Sequence, residues 1–391
     1  MRLLFVTNIC PHYRVRTFET LAERADAEFV FFSDGKESYW DQRHGVQHGH
    51  FHHNYLSGFY VTPRLRITPG LVSRLWTTRA DVIVKCINGR FALPVTYLMA
   101  RLRRKPFVLW TGIWSHPQTA FHRATFALTR FLYRHADAIA VYGPHVRDYL
   151  IALGVKPQRI FVAWHAVDNS AYAAPVKPED MNALRAQLRI EQRPVVLYVG
   201  RLDPAKGLDD LIQAMSRVGD LSPVLVLVGA GELKDWLAAQ CLAAGVEVRF
   251  ADYVPTDQLY RWYALASAFV LPSVTTPRFK EPWGLVVNEA MNQGVPVIAS
   301  DSVGAAAGGL VRNGETGLVV PERNPDALAA ALRRLLSDKD YARQLGEAGR
   351  QEIALWTNER MVGGFLAAVE FADRHRHGSH ALGSEMSNEC I

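Results

Sequence analysis

The chain has 391 residues, of which 49% are hydrophobic and 21% are charged. This balance excludes a disordered chain, and the length suits two domains. The longest uncharged stretches, near 107–122 and 262–277, contain polar residues and proline, so no membrane-spanning helix is predicted. The N-terminal residues 1–8 lack the long apolar core of a signal peptide. Four scattered cysteines favour neither a disulfide scaffold nor a zinc site, so we expect a cytoplasmic protein.

Charge is distributed unevenly along the chain. Residues 1–165 contain 22 basic and 10 acidic side chains, whereas residues 166–391 contain 22 and 28. This asymmetry predicts an anionic partner for the N-terminal half, either a membrane surface, a lipid pyrophosphate or nucleic acid. A solvated basic face without a partner is the alternative. Nucleic acid is the least favoured partner, because no nucleic-acid-binding signature accompanies the charge.

In the first half, short apolar runs alternate with helical patterns, which is typical of a parallel sheet covered by helices. The predicted strands are 2–7, 27–32, 82–85, 107–110, 138–141 and 160–163. The predicted helices between them are 15–24, 93–103 and 122–134.

The alternation restarts after a linker at 168–178 that is rich in Ala, Pro and Asn. The predicted strands of the second half are 195–198, 224–228, 246–250, 268–272, 295–299 and 317–320. The predicted helices are 208–218, 233–244, 256–264, 285–293 and 327–336. The pattern predicts an α/β protein with two consecutive Rossmann-like domains.

Two glycine-containing loops follow buried strands of the second half. The first places Gly200 and Arg201 at a strand end and Lys206 before a helix, where the two cations suit a diphosphate. They would otherwise be ordinary surface cations. The second contains Gly229 and Gly231, which would let a nucleotide base approach the backbone closely. A lone Gly-x-Gly turn is weak support by itself.

A third motif runs from Glu281 to Glu289 across a loop and the start of a helix. Pro282 keeps Glu281 in extended backbone, and the first N–H groups of the helix, at 284–286, form an anion cradle. Glu289 is one turn into the helix, where a carboxylate could bind a ribose diol. Two solvated acids on a capped surface helix are the alternative.

These motifs together resemble the C-terminal domain of retaining glycosyltransferases of family 4, also termed glycosyl transferases group 1, which have the GT-B fold. The match covers about 195–325 and includes Gly-Arg-Leu, Gly-x-Gly-Glu, and Glu-Pro-Trp-Gly-Leu-x3-Glu-Ala followed by Gly-Val-Pro-Val. The resemblance implies two Rossmann-like domains that face each other across a cleft. It also implies a C-terminal helix that crosses back to the first domain.

The resemblance implies a role for each site residue. Arg201 and Lys206 bind the donor diphosphate, Glu281 contacts the donor sugar, and Glu289 holds the ribose. The expected catalytic residues are Glu281, Arg201, Lys206 and His116. The expected donor-binding residues are Gly200, Arg201, Lys206, Gly229, Gly231, Tyr253, Glu281, Trp283, Gly284, Leu285, Val286 and Glu289.

The first half matches the family less closely. Asn8-Ile9-Cys10-Pro11-His12-Tyr13-Arg14 resembles a subgroup with a Pro-x-Tyr-Arg turn, which implies that Tyr13 and Arg14 bind the acceptor. The family histidine that touches the sugar corresponds to His116, although Thr111 could stand closer to its position. The expected division is an acceptor-binding domain at 1–167, a linker with the first helix of the second domain at 168–194, a nucleotide-sugar-binding domain at 195–355, a crossover helix at 356–373 and a disordered tail at 374–391.

The expected activity is hexosyl transfer, with retention, from a UDP- or GDP-sugar to an acceptor hydroxyl, in bacterial surface polysaccharide or glycolipid synthesis. A GT-B epimerase or phosphorylase, or an inactive nucleotide-sugar-binding regulator, is the alternative. No cofactor is expected. Asp338-Lys339-Asp340 matches the Asp-x-Asp motif that binds a metal in the other glycosyltransferase fold, but it follows a helix rather than a strand, so no metal is expected either. The expected partners are the donor, a saccharide or lipid-linked acceptor and, through peripheral contact, the anionic inner face of the cell membrane.

A histidine-rich segment in the first half is expected to be a flexible loop near the acceptor entrance rather than a metal site. Its histidines are His44, His48, His50, His52 and His53. Aromatic side chains among and after them could form an interfacial surface or belong to the core. They are Tyr39, Trp40, Phe51, Tyr55, Phe59, Tyr60 and Trp76.

Overall fold

A computed structural model describes residues 1–35 and 46–385. Its strands are β1 (Arg2–Thr7), β2 (Asp26–Phe31), β3 (His53–Tyr55), β4 (Phe59–Thr62), β5 (Leu65–Ile67), β6 (Val82–Cys86), β7 (Phe107–Thr111), β8 (Ala138–Val141), β9 (Ile160–Val162), β10 (Val195–Val199), β11 (Val224–Val228), β12 (Val248–Ala251), β13 (Ala268–Leu271), β14 (Val297–Ser300) and β15 (Leu318–Val320). Strand residues such as Leu3–Val6 are fully buried, as expected for a parallel sheet covered on both faces.

Helices separate most of these strands, as parallel pairing requires. They are α1 (Val15–Arg24), α2 (Pro69–Thr77), α3 (Ala92–Leu102), α4 (Ala120–His135), α5 (Pro144–Ala152), α6 (Asn169–Tyr172), α7 (Pro178–Leu188), α8 (Leu208–Ser216), α9 (Lys234–Ala243), α10 (Leu259–Leu265), α11 (Leu285–Asn292), α12 (Gly304–Ala307), α13 (Pro325–Ser337), α14 (Lys339–Ile353) and α15 (Asn358–Glu385). No helix within the described residues is both long enough and apolar enough to span a membrane.

The first of two compact units comprises 1–112, 124–164 and 358–391. Its seven-stranded sheet has the order β3-β2-β1-β6-β7-β8-β9, and neighbouring strands are parallel. Helix α15 packs against the sheet of this unit: Phe365 lies edge-on to Phe5 of β1, with ring centroids 5.8 Å apart. Gly364 permits the contact, since a Cβ there would lie 2.3 Å from the Val162 carbonyl oxygen.

The second unit comprises 113–123 and 165–357. Its six-stranded sheet has the order β12-β11-β10-β13-β14-β15, again with parallel neighbours. The strand order reverses between β10 and β13, and ligands of such sheets bind in the crevice at that reversal. The loops after β10 and β13 carry Lys206 and Glu281 respectively.

The prediction of two Rossmann-like parallel-sheet domains is confirmed by these two sheets. The division falls after Trp164, whereas the sequence places it at 167, and residues 113–123 belong to the second unit. The predicted disordered tail needs correction, because the backbone is helical as far as Glu385. The predicted linker also contains the short helix α6. Residues 386–391 lie outside the described residues.

Candidate active site

The loop after β10 places its two cations in different environments. Arg201 is exposed and pairs with Asp203, with 3.1 Å between Nη2 and Oδ2. Lys206 ends a short 3₁₀ turn that Asp203 caps by accepting a hydrogen bond from the Ala205 N–H. Lys206 is only 9% exposed. Gly207 follows with φ 62°, and a Cβ there would lie 2.1 Å from the Pro272 carbonyl oxygen, so the loop after β10 is packed tightly on the loop after β13.

Lys206 and Glu281 form a buried ion pair between these loops. The Lys206 Nζ donates to Oε2 of Glu281, which also accepts from the Ser273 hydroxyl at 3.1 Å. Glu281 is only 7% exposed. Each buried charge therefore has a partner, without which its burial would be costly. The structure thus brings together two of the predicted site residues.

The start of α11 is the better of two candidate anion cradles. Gly284 caps the helix in left-handed backbone, with φ 88°. No acidic residue occupies the first turn of α11, and residues 284–286 are partly exposed. By contrast, the first turn of α8, which follows Lys206, already contains Asp209 and Asp210. The positive end of α11 therefore remains available to an anionic ligand.

Trp283, one of the predicted donor-binding residues, has its side chain in the protein core. Its indole is 1% exposed, donates to Oδ1 of Asn288 at 2.8 Å, and packs on Trp356 with ring centroids 5.3 Å apart. Only its backbone could contact a donor. The carbonyl is already used, since it accepts from the Ala305 N–H at 2.8 Å.

Glu289 lies on α11 with its carboxylate held by two tyrosines. The Tyr263 hydroxyl donates to its Oε2 at 2.6 Å, and Tyr172 is a second hydrogen-bond partner. Burial raises the pKa of Glu289 to about 7, although both hydrogen bonds oppose the rise. A carboxylate has about four lone-pair sites, so two tyrosines leave acceptor capacity for a diol. Neither tyrosine was predicted from the sequence, since Tyr172 lies in the predicted linker and Tyr263 in an ordinary helical pattern.

Gly229 and Gly231 are needed for packing between loops. A Cβ at Gly229 would lie 2.0 Å from the Gly200 carbonyl oxygen, and one at Gly231 would lie 2.2 Å from that of Leu202. The Leu202 N–H donates to the Ala230 carbonyl at 2.9 Å. The close approach predicted for a nucleotide base is therefore already made by protein backbone. Tyr253, another predicted donor contact, is 38% exposed after β12.

Residues 113–123 follow β7 but pack on the loop that carries Glu281. The Trp114 Nε1 donates to the Glu281 carbonyl at 2.9 Å, and the Lys280 ammonium lies 3.7 Å from the centre of the Trp114 ring. The Gln118 N–H donates to the Pro277 carbonyl at 2.7 Å. Trp114 is thus a site residue that the sequence analysis missed, because no motif marks it.

The two candidates for the family histidine lie in different units. His116 belongs to the segment just described, and its Nε2 donates to the His122 carbonyl at 2.8 Å. Thr111 is buried at the end of β7 in the first unit. His116 therefore shares a unit with Glu281, whereas Thr111 does not.

The predicted acceptor residues Tyr13 and Arg14 lie in the first unit. Arg14 is buried, its Nη1 lies 3.3 Å from the Met361 sulfur, and its guanidinium is 5.2 Å from the centre of the Trp110 ring. Burial lowers the pKa of Arg14. These contacts indicate an internal role for the Arg14 side chain, while Tyr13 is partly exposed.

No group of three or more His, Cys, Asp or Glu side chains is arranged to hold a metal ion among residues 1–35 and 46–385. His48 and His53 share a hydrogen bond at 2.9 Å, and His53 lies on β3 rather than in a flexible loop. His44 is outside the described residues. Asp338 caps α14 by accepting a hydrogen bond from the Tyr341 N–H at 2.9 Å. The first acid of the Asp-Lys-Asp sequence therefore has a structural role.

Two Rossmann-like units, each built on a parallel sheet, are the architecture of the GT-B class of proteins. Two family models match the chain, "Glycosyltransferase Family 4" over residues 15–171 and "Glycosyl transferases group 1" over residues 180–352. The chain belongs to the group 1 glycosyltransferases.

Curated relatives share part of the sequence. A GDP-mannose-dependent alpha-(1-6)-phosphatidylinositol monomannoside mannosyltransferase of Mycobacterium tuberculosis is 38% identical over 180 residues, which cover 44% of this chain and 46% of that protein. An alpha-D-kanosaminyltransferase of Streptomyces kanamyceticus is 29% identical over 68% of this chain and 71% of its own length. The match to the mannosyltransferase thus spans about half of that relative.

Solved structures share the fold. HepE of Anabaena, crystallised in complex with UDP, superposes with a TM-score of 0.76 and 21% identity over 94% of this chain and all of that chain. A sucrose-phosphate synthase of Thermosynechococcus elongatus gives a TM-score of 0.70 and 23% identity over 97% of this chain and 100% of that one. At these identities the likeness establishes the fold alone.

Proposed function

We propose that this protein transfers a sugar from a nucleoside-diphosphate sugar to an acceptor hydroxyl, with the donor bound in the second unit. The observation that carries the proposal is the buried Lys206–Glu281 pair at the strand-order reversal, on the loop that leads into the open start of α11. A cation and a carboxylate held together in this crevice suit the diphosphate and the sugar of such a donor. Family membership and the UDP complex of the Anabaena relative support this assignment.

The chemical task is to stabilise negative charge on the departing diphosphate. The first N–H groups of α11 are preorganised donors for that charge, and Lys206 and Arg201 supply positive charge beside them. Such donors need little reorganisation, and removing one typically reduces turnover about 10²–10³-fold. The partial burial of residues 284–286 strengthens the effect, because electrostatic interactions weaken in bulk water.

The ion pair also suggests how the donor is recognised. Without donor, the Glu281 carboxylate neutralises Lys206. A bound diphosphate competes for the ammonium, and the carboxylate oxygen that it releases can accept a hydrogen bond from a sugar hydroxyl. Ser273 remains as a donor to Glu281, so the carboxylate stays oriented during this exchange.

Glu289 is proposed to hold the ribose through the acceptor capacity that its tyrosines leave free. Ionised carboxylates are the stronger acceptors, so the raised pKa of Glu289 predicts weaker donor binding below about pH 7. The base is proposed to be uracil or guanine. The UDP complex of HepE and the GDP-mannose-dependent relative support these two choices.

Retention of the anomeric configuration, hexose transfer and independence from metal are part of the same proposal. Retention follows from the family resemblance. Metal independence follows from Lys206, Arg201 and the α11 start supplying the positive charge. The NMR coupling constant of the new anomeric proton tests retention, and turnover in EDTA tests metal independence. An inverted product or loss of turnover in EDTA would contradict these parts.

The acceptor is proposed to be a saccharide or lipid-linked saccharide in the synthesis of a bacterial surface polysaccharide or glycolipid. The excess of basic residues in 1–165 and the phosphatidylinositol monomannoside named for the mycobacterial relative support a lipid-linked acceptor. We accordingly propose a cytoplasmic protein that contacts the inner membrane face peripherally.

Incubation with a panel of labelled UDP- and GDP-sugars tests the proposal. We expect one donor to be consumed slowly by hydrolysis alone and faster with a glycolipid extract, with label transferred to the extract. Arg343→Ala is the matched control for Arg201→Ala, since Arg343 is also an exposed arginine of the second unit, on α14. Conversion of the donor to an isomer without an acceptor, or no consumption of any donor, would overturn the proposal.

A further inference from the structure

Large apolar side chains are exposed on one part of the first unit, around the hairpin formed by β4 and β5. They include Phe59, Val61, Val72, Trp76, Leu98 and Leu102, each at least 40% exposed. Together they define what we term the hairpin–helix face. Soluble surfaces usually scatter such residues singly, and a cluster marks an interaction site.

The hairpin directly precedes α2 in the chain, and α2 in turn packs along α3. β4 and β5 form a two-stranded antiparallel sheet separate from the seven-stranded sheet, and every residue of β4 is exposed. β5 ends at Ile67, and α2 begins at Pro69. The Arg103 guanidinium lies 5.6 Å from the centre of the Trp76 ring.

Helical spacing aligns the apolar residues of α2 and α3. Val72 and Trp76 are four residues apart on α2, and Leu98 and Leu102 are four apart on α3, so each pair lies on one side of its helix. The adjacent side of α2, about 100° round the helix, is fixed in the core by Leu71 and Leu75, both fully buried. The exposed pairs are therefore not required for packing within the unit.

The chain segment that contains the hairpin–helix face is strongly basic. Residues 42–136 contain 14 Lys and Arg and a single acid, Asp81. Arg66, Arg74 and Arg101 have carboxylate partners. Five others form no ion pair with any described carboxylate, namely Arg64, Arg79, Arg103, Arg104 and Lys105. This unneutralised charge suits an anionic surface.

We infer that the hairpin–helix face docks on an anionic phospholipid membrane, with Phe59, Val61 and Trp76 inserted at headgroup level. Aromatic and aliphatic residues flanked by arginine are the usual composition of an interfacial surface. Basic residues near such a membrane add binding energy that salt screens. Nucleic acid explains the arginines but not the exposed aliphatic residues. The inference deepens the proposed function, because a lipid-linked acceptor resides in a membrane.

Vesicle sedimentation tests the inference directly. The purified full chain is mixed with phosphatidylcholine vesicles that contain, or lack, about 30 mol% phosphatidylglycerol, at low and high salt. We expect binding to the anionic vesicles only, weakened by salt. The triple variant F59S/V61S/W76S should bind at least tenfold less, and R103Q/R104Q should lose binding to a similar degree.

Trp236→Ser is the matched control, because Trp236 is a comparably exposed tryptophan, 44% against 55% for Trp76, on α9 of the second unit. It should bind vesicles like wild type. Unchanged binding by the triple variant, equal loss in W236S, or salt-sensitive binding to an RNA oligonucleotide without vesicle binding would each overturn the inference. Donor hydrolysis should persist in the triple variant, so a failed docking prediction is distinguishable from a failed transferase proposal.

Discussion

Positive charge is used in two opposite ways in the two units. In the second unit, Lys206 is buried against Glu281 at the carboxyl end of the sheet. On the hairpin–helix face of the first unit, arginines such as Arg103 are solvent-accessible and have aromatic rather than acidic neighbours. A buried pair is costly to break and orients its groups, whereas exposed charges mainly attract and are screened by salt. We therefore expect changes at Lys206 and Glu281 to alter donor turnover, and changes on the hairpin–helix face to alter membrane binding.

The largest effect is expected from breaking the buried pair. Lys206→Met or Glu281→Gln should reduce donor turnover at least about 100-fold. Each should also lower the free energy of unfolding by about 3 kcal/mol, because the remaining partner loses its counter-charge or its strongest hydrogen bond. Urea denaturation and donor-hydrolysis assays measure the two quantities.

The double variant K206M/E281Q distinguishes the structural role of the pair from its chemical role. It should recover most of the lost stability, since no unpaired charge remains, but none of the turnover. Single variants with wild-type stability and turnover would mean that the pair is incidental.

The second prediction concerns Glu289, whose pKa of about 7 lies above its ordinary value of 4.5. The folded protein keeps this proton to higher pH than the unfolded chain does. The stability that Glu289 contributes is therefore complete below pH 4.5 and is lost as the pH rises through 7. The loss is about 3 kcal/mol, because each pH unit in that window contributes about 1.4 kcal/mol.

Glu289→Gln has no such titration, so the unfolding free energy of wild type relative to E289Q should fall between pH 4.5 and 7. Denaturation curves across this range measure the difference. A relative stability that stays flat or rises would contradict the environment described for Glu289.

Arg201 is an intermediate case, because it is an exposed cation that nevertheless lies within the candidate site. Its pair with Asp203 is half exposed, and such pairs contribute about 0–1 kcal/mol to stability. Arg201→Ala should therefore leave the melting temperature almost unchanged. It should reduce turnover about tenfold, less than the loss of a buried donor, because solvent screens the charge of the exposed Arg201. Steady-state assays beside R343A measure this, and equal turnover in the two variants would remove Arg201 from the diphosphate site.

The smallest effect is expected at Trp114, which orients Glu281 through a backbone hydrogen bond. Trp114→Phe keeps an aromatic ring near Lys280 but removes the N–H donor, whose net contribution is about 1 kcal/mol. We expect about a threefold loss of kcat with little change in KM for the donor. Trp164→Phe is the control, since the Trp164 ring also lies beneath a cation, the Arg360 guanidinium 4.5 Å from its centre, but in the first unit. A larger loss in W164F would contradict the positioning role.

The sequence predicted most strands of the two parallel sheets better than the hairpin and the helix that follows it, for a physical reason. Buried parallel strands such as β11 are continuous apolar runs, and the predicted bounds of 224–228 match the structure. The hairpin β4–β5 and helix α2 were missed because their outward residues are apolar, which removes the alternation that normally marks a half-buried element. The aromatic residues that could have belonged to the core or to an interfacial surface differ in the structure. Phe51 packs against the core residue Phe29, with ring centroids 4.7 Å apart, whereas Phe59 is exposed. Tyr39 and Trp40 lie outside the described residues.

Only those residues of the candidate site that belong to sequence motifs were predicted. Lys206 and Glu281 were identified, but their contact depends on the strand-order reversal, which brings two distant loops together. Trp114 and Tyr172 belong to segments without a motif, so only the fold reveals their place beside Glu281 and Glu289. The glycines at 229 and 231 were assigned to a ligand because sequence does not reveal that backbone occupies that space.

The most direct test of the central claim is the affinity of UDP and GDP for wild type and for K206M/E281Q, measured by calorimetry in EDTA. We expect wild type to bind one nucleotide without metal and the folded double variant to bind it at least tenfold more weakly. Equal affinities in the two proteins would contradict a diphosphate site built on Lys206 and Glu281.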